Sequence, residues 1–357
     1  MGRMIECIKG KKDFMKKLLA LLLTLVLLAT ALVSCGNNDN PPSNNPEQSQ
    51  PSSNDDSTTD GNETTDGDGT TDGDETDANN EATYSQGLVF ELSYDKSSYY
   101  LSSVGTCRDN EVIIPAEYNN LPVTEIASYA FENCTWITKV TIPESVTSIG
   151  RNSFKNCPNA VEMQDGITYI GKWLLECGTN VENVAIREDT VGIATWAFWG
   201  CNQITEVVIP DSVKHMNMVF RECSSLKSVT LPNGLTKIGA SFFSECTALE
   251  SITFPESVKA IEEEAFMRCG FKTITLPEGL TAIEGSTFKD CTSLASINIP
   301  NSVTSIGKFA FENCTALKTI YFSGTLADWN NLDKGEHWDR MVSGCTVKCT
   351  DGDITIN

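Results

Sequence analysis

Histidine is almost missing from this chain: in 357 residues there are two, His215 and His337. With so little imidazole, a histidine-based nucleophile triad or a multi-histidine zinc centre has little material to work with. Basic residues are also scarce, 26 Lys and Arg against 48 Asp and Glu, for a net charge of −22. Nucleic-acid binding is driven by Lys and Arg neutralising phosphates, so this balance argues against a nucleic-acid partner. It argues equally against attachment to an anionic membrane surface by charge alone. Between 36 and 83 there is no Lys or Arg, and alanine is the only apolar residue. Such a stretch cannot bury enough surface to offset the loss of chain entropy, and is expected to be disordered. Its thirteen acidic residues push the coil beyond a relaxed span of about 40 Å, so that it acts as a spacer. Thr65-Asp66-Gly67-Asp68-Gly69-Thr70 hints at a calcium loop. That loop needs Gly sixth, Glu twelfth and flanking helices. Counted from Asp66, those places hold Thr71 and Asp77, so a solvated linker is the stronger reading.

One long apolar run stands out, Leu18 to Val33, preceded by Lys16-Lys17 and ending in Leu32-Val33-Ser34-Cys35-Gly36. A basic start, a short apolar stretch and small residues at the end make an export signal, here 1–34. The Leu-Val-Ser-Cys ending resembles the lipobox of bacterial lipoproteins. That resemblance implies cleavage before Cys35, a lipid on Cys35 and a membrane tether, with 35–83 as lipidated cysteine and linker. The alternatives are an ordinary cleaved signal and a single spanning helix, for which the run is shorter than the ~20 residues needed. Met15 is the more natural start.

What the chain has in abundance is a phrase. It reads Val303-Thr304-Ser305-Ile306-Gly307, then Ala310-Phe311-x-x-Cys314, then Leu317-x-x-Ile320. Its F-x-x-C pair occurs eight times, at Phe131/Cys134, Phe154/Cys157, Phe198/Cys201, Phe220/Cys223, Phe243/Cys246, Phe266/Cys269, Phe288/Cys291 and Phe311/Cys314. From Cys201 the cysteines step by 22, 23, 23, 22 and 23 residues. A period of about 20 to 29 residues means a stacked solenoid of the leucine-rich-repeat kind. Within one period, Leu294-x-x-Ile297-x-Ile299 reads as a bend and a short strand with apolar residues inward. Pro300 closes the strand because it has no N–H for the ladder, and Pro143, Pro210, Pro232, Pro255 and Pro277 repeat the device. Val303 and Ile306 turn inward on the next side, and Ala310-Phe311 sits on a short helical or turn segment.

These residues resemble the BspA-like leucine-rich-repeat surface proteins of bacteria, over about 84–357. The fold expected is an α/β repeat: a right-handed leucine-rich-repeat solenoid with short parallel strands, capped at both ends. Residues 84–120 are expected as an N-terminal β cap, 121–322 as the solenoid and 323–357 as the C-terminal cap, with Trp329 and Trp338 covering the last rung. Residues 158–200 depart from the pattern, with Trp173-Leu174-Leu175 where Ala-Phe belongs and Arg187 where Pro belongs. The spacing fits two rungs, which reads as a variant repeat. The repeat cysteines, with Cys177, form a ladder whose Cβ atoms point the same way, which suits buried thiols rather than disulfides, nucleophiles or a metal site. The redox state of Cys107, Cys345 and Cys349 stays open. No cofactor or metal is expected, and His337 reads as a surface residue.

A solenoid binds through a broad repeated face. The outward strand positions include Lys227, Thr230, Thr253, Lys272, Thr275, Lys318 and Tyr321. Threonine there has an equal explanation in strand propensity and cross-strand packing. Trp196 and Trp199 flank Ala197-Phe198 and are the more unusual feature; they form an interface or pack on the variant repeat near Trp173. Three functions compete. The first is a non-catalytic surface lipoprotein that binds a protein or glycan, for which the resemblance implies host extracellular matrix or neighbouring cells at the bacterial surface. The second is a passive envelope scaffold. The third is a glycan-active enzyme with paired carboxylates, for which no Asp/Glu pair stands out.

Overall fold

A spacing of Leu-x-x-Ile-x-Ile-Pro gives strands only three or four residues long, too short to be stable singly, so each must pair with its neighbour in the next turn. The computed structural model describes residues 84–356 and shows that pairing. The signal, Cys35 and the linker lie outside the described residues. The chain winds through about eleven turns, most of them with two short strands and an irregular corner. On one side, Thr273–Thr275, Ser296–Ile299, Thr319–Phe322 and Cys345–Cys349 pair in parallel and in register, with Ile274, Ile297, Ile320 and Val347 side by side. Glu111–Ile113 with Lys139–Thr141, and Glu206–Val208 with Ser228–Thr230, are earlier pieces of the same face. On the second side, Ala282–Ile283, Ser305–Ile306 and Asp333–Lys334 form a thinner parallel ladder. Each closing proline starts a turn: the carbonyls of Pro143, Pro210, Pro232, Pro255, Pro277 and Pro300 accept from the N–H three residues on. The outward strand positions are exposed and the alternating ones buried, as the period of two requires.

The corner carries the F-x-x-C phrase as a turn. In all eight copies, the residue two before Phe and the residue before Cys are left-handed, with φ between 49° and 68°. Apart from Gly200, none of these sixteen residues is glycine; Trp196, Glu264, Arg268 and Asp290 are among them. A left-handed L-residue costs roughly 1–2 kcal/mol, so the stack must hold it. Two things do. Phe rings stack between rungs, with centroids 5.6 Å apart for Phe220–Phe243 and Phe243–Phe266, 5.7 Å for Phe266–Phe288 and 5.4 Å for Phe288–Phe311. Backbone bonds then run forward: Phe266 and Arg268 donate to the carbonyls of Thr287 and Lys289, and Phe288 and Asp290 to those of Ala310 and Glu312. The cysteines bind backward. The thiols of Cys223, Cys246, Cys269, Cys291 and Cys314 each donate to the carbonyl of the Phe one rung earlier, at 2.9–3.1 Å. All these cysteines are buried thiols, as are Cys107 and Cys345; Cys349 is a half-buried thiol.

Residues 158–200 do not form the ordinary variant repeat expected. Glu162–Gln164, Ile167–Ile170 and Trp173–Cys177 make an antiparallel meander. Asp165-Gly166, both at positive φ, is a two-residue hairpin turn of the kind that matches strand twist, and Gly171 opens the second hairpin. Trp173-Leu174 therefore does not stand in for Ala-Phe. It lies on a strand that pairs in parallel with Gly192–Ile193. The meander divides the core: Ile170 and Trp173 pack with the rungs before it, Ile167, Tyr169 and Leu174 with the rungs after it.

A second irregularity comes from one missing residue. Cys269-Gly270-Phe271 has one residue fewer before its core position than Cys246-Thr247-Ala248-Leu249. Phe271 is fully buried, so the chain must shorten its path, and Gly270 lies so close to the preceding rung that a Cβ would collide with the Thr247 carbonyl. Ser251–Phe254 joins neither neighbouring strand, and its core residues Ile252 and Phe254 are only half-buried.

The ends are covered. Val89–Leu92 and Tyr99–Ser103 form a hairpin, and the second strand, within the segment read as cap, pairs in parallel with Leu121–Ile126 at the start of the segment read as solenoid. At the other end, the helix Leu326–Asn331 carries a Thr325/Asp328 capping box and buries Trp329. That ring meets Phe322 at 5.5 Å and Trp338 at 6.0 Å. Gly352–Ile356 closes the sheet antiparallel to Cys345–Cys349.

Two outcomes follow from this packing. Gly270→Ala is expected to destabilise the protein by about 2 kcal/mol or more, whereas Gly234→Ala, where a Cβ meets open space, leaves chemical denaturation unchanged or improves it. Burial pushes the thiols of Cys246 and Cys291 up to about 12, so they stay protonated at pH 8. Iodoacetamide on the folded chain should label Cys349 well before these two, and all of them once guanidinium unfolds it; fast labelling of Cys246 in the folded state would contradict the buried ladder.

Candidate functional site

The strand face offers Thr, Ser and Lys side chains, a few of which bond to their own neighbours. Asn298 donates to Thr275 Oγ1 at 2.8 Å, Lys139 meets Glu111 at 3.3 Å, and Lys318 reaches the Ser343 carbonyl at 3.2 Å. Tyr321 lies under Lys348, 5.8 Å from the ring centre. Lys227, Thr230, Thr253, Lys272 and Thr275 are all exposed. The irregular rung brings three of them together. Thr230 and Thr253 line a cleft of about 420 Å³ on one side of Ser251–Phe254. Thr253 and Thr275 line one of about 710 Å³ on the other. Half-buried Phe254 and Ile252 border both. Lys318 and Tyr321 belong to the C-terminal end of the face instead.

The corner side holds a different site. The meander supplies no F-x-x-C turn, so the row of turns is interrupted between Phe154/Cys157 and Phe198/Cys201. A cleft of about 480 Å³ opens there, lined by Arg151, Phe154, Leu175, Glu176, Trp196 and Trp199 among others. Trp199 is 39% exposed, Trp196 half-buried at a left-handed position. The Arg151 guanidinium stands 4.3 Å from the Trp199 ring centre and 5.4 Å from that of Trp196. This cation–π contact holds both rings at the cleft wall. The indole N–H of Trp196 is buried and has no hydrogen-bond partner among the described residues. Glu176 and Glu222 complete a rim of mixed charge. Arg151 was not singled out from sequence; the signal that pointed here was the pair Trp196 and Trp199 beside Ala197-Phe198.

Trp173 is not part of this wall. It stacks on His215 with centroids 6.0 Å apart and lines a cleft of about 490 Å³ with Lys172 and Lys214. Burial, and then Lys214, hold the His215 imidazole below its ordinary value, so it is neutral at pH 7. His337 is exposed and stacks on Phe309 at 5.8 Å. Among the described residues no group of three or more His, Cys, Asp or Glu is placed to hold a metal. Among the described residues, the one carboxyl that burial pushes upward, Glu125, lines none of these clefts.

The sequence matches the family described as BspA type leucine rich repeat region, in six copies over 110–218 and 216–332. No curated protein matches. Among solved structures, it is similar to a leucine-rich repeat protein from Bacteroides ovatus at 24% identity, over 73% of this chain and 77% of that one, with a TM-score of 0.38. It is similar to a leucine rich cell surface protein from Faecalibacterium prausnitzii at 24% identity, over 70% and 96%, with a TM-score of 0.24. It is also similar to a leucine rich repeat protein of T. pallidum at 23% identity, over 65% and 88%, with a TM-score of 0.30.

Proposed function

This chain belongs to the BspA-type leucine-rich-repeat family, and from that premise we propose that it is a non-catalytic binding protein of the bacterial surface. It takes a macromolecular partner through its repeat surface and is tethered by a lipid on Cys35, with the acidic stretch 36–83 as spacer. The observation that carries the reading is the corner cleft. Trp199 is exposed, held by Arg151, and set beside a cleft rather than on a flat strand face. Tryptophan and arginine in such a place are the residue types that dominate binding energies. A solenoid of this family suits protein–protein interaction or scaffolding, and its repeats are built from packing residues rather than reactive ones.

A second reading, a passive scaffold, is favoured by the strand face, where Asn298, Lys139 and Lys318 are occupied by intramolecular contacts.

A Trp196→Ala/Trp199→Ala variant, tested in pull-downs against matrix proteins, glycans and whole cells, should lose about tenfold or more of the binding shown by the unaltered chain. Binding that survives moves the site to the strand face, and absence of binding by either form supports the scaffold. Cys35→Ser should abolish incorporation of labelled fatty acid and release the protein from the membrane fraction; unchanged fractionation would refute the lipid tether.

A further inference from the structure

The corner turns bind one another by a fixed rule. In seven of the eight F-x-x-C turns, the N–H of Phe and the N–H of the residue before Cys donate to two carbonyls of the next turn, themselves two residues apart. Phe131 and Asn133 donate to Ser153 and Lys155; Phe198 and Gly200 to Val219 and Arg221; Phe311 and Asn313 to Trp338 and Arg340. The exception is the turn that faces the cleft. Neither Phe154 N–H nor Asn156 N–H has a hydrogen-bond partner among the described residues. On the far side Ala197 C=O accepts from Cys177 N–H, while the Trp199 carbonyl receives no hydrogen bond from the described residues. The Phe stack stops at the same place: Phe131 meets Phe154 at 4.9 Å and Phe198 meets Phe220 at 5.0 Å, and no stacked pair joins Phe154 to Phe198.

We infer that this cleft is the empty place of one turn, and that it takes a main-chain segment of a partner polypeptide. The segment supplies two carbonyls, two residues apart, to Phe154 N–H and Asn156 N–H, and lays a large apolar side chain against Trp199. The proposal rests on the reading that the cleft binds a partner and adds how it does so. The favoured occupant is a peptide because the spacing of the two donors is the one that peptide carbonyls satisfy in every other turn, and the row of turns runs up to the cleft from both sides. Phe154, Trp196 and Arg151 line the opening and bring a backbone N–H, an indole N–H and a guanidinium to it, and Asn156 N–H lies two residues further along the same turn. A cleft of about 480 Å³ is in the ordinary range for a bound ligand.

The test uses the full chain and exchange at single-amide resolution. In the free protein, Phe154 and Asn156 should exchange about tenfold faster or more than Phe220, Glu222, Phe266 and Arg268, which are bonded to the next rung. Equal protection would overturn the proposal. Phage-displayed random twelve-residue peptides selected on the full chain are the probe. Enriched peptides should slow exchange at Phe154 and Asn156 and bind Trp199→Ala about tenfold more weakly; replacing the accepting peptide bonds by esters should weaken them again. Peptides that bind while both amides stay fast, or a selection that enriches none, would sink the main-chain mode. If partner capture is lost in the tryptophan variant while the two amides stay unprotected, the cleft remains the binding site and only this mode of occupying it fails. If capture survives in that variant, the cleft itself is the wrong site.

Discussion

Every rung of this protein is held by bonds to the rung beside it. A left-handed backbone occurs twice in each corner turn, mostly without glycine, and is disfavoured at each occurrence. What makes it tolerable is the forward N–H to carbonyl bond, the backward thiol to carbonyl bond and the stacked Phe ring. None of these exists inside a single repeat. The dependence explains why both ends are elaborately closed, by a hairpin at one and by Trp329, Trp338 and an added strand at the other. An end rung left open would expose the bonding groups its neighbours use.

The same dependence makes irregularity informative. Where a turn is lacking, as at the meander, its neighbours keep their donors and lose their acceptors. Where a residue is lacking, as after Cys269, the strand side splays: Ile252 and Phe254 come partly out of the core while the corner bonds continue through Phe243 and Phe266. The two interruptions open clefts on different sides of the solenoid, one with exposed tryptophan and one with threonines around a half-buried phenylalanine. A regular rung has neither. The distinctive chemistry of this chain is therefore concentrated where its repeat fails.

Much of the fold was legible beforehand because the corner phrase, Phe with Cys three later, is written eight times, and a proline ends the strand in six places. The buried thiols were legible too, since equivalent side chains on stacked rungs point alike. The meander was not recognised, although Asp165-Gly166 and Gly171 around Ile167–Ile170 are hairpin signals. Counting periods hid them, because 44 residues between Cys157 and Cys201 equal two ordinary steps. The left-handed corner positions were invisible as well, since Asn, Glu, Arg, Asp and Trp occupy them rather than a recurring glycine.

The amino-acid sequence by itself determined the period, the inward and outward residues, the capped ends and the two tryptophans that break the pattern. All of these are local, and each is repeated or conspicuous in one dimension. Tertiary structure alone decided that Trp196 and Trp199 share a wall under Arg151, that Trp173 faces elsewhere, and that Phe154 and Asn156 have no rung to bond to. Those facts depend on which segments become neighbours after 158–200 doubles back on itself. A hydrogen bond that goes unmade can be seen only where the neighbour should have been.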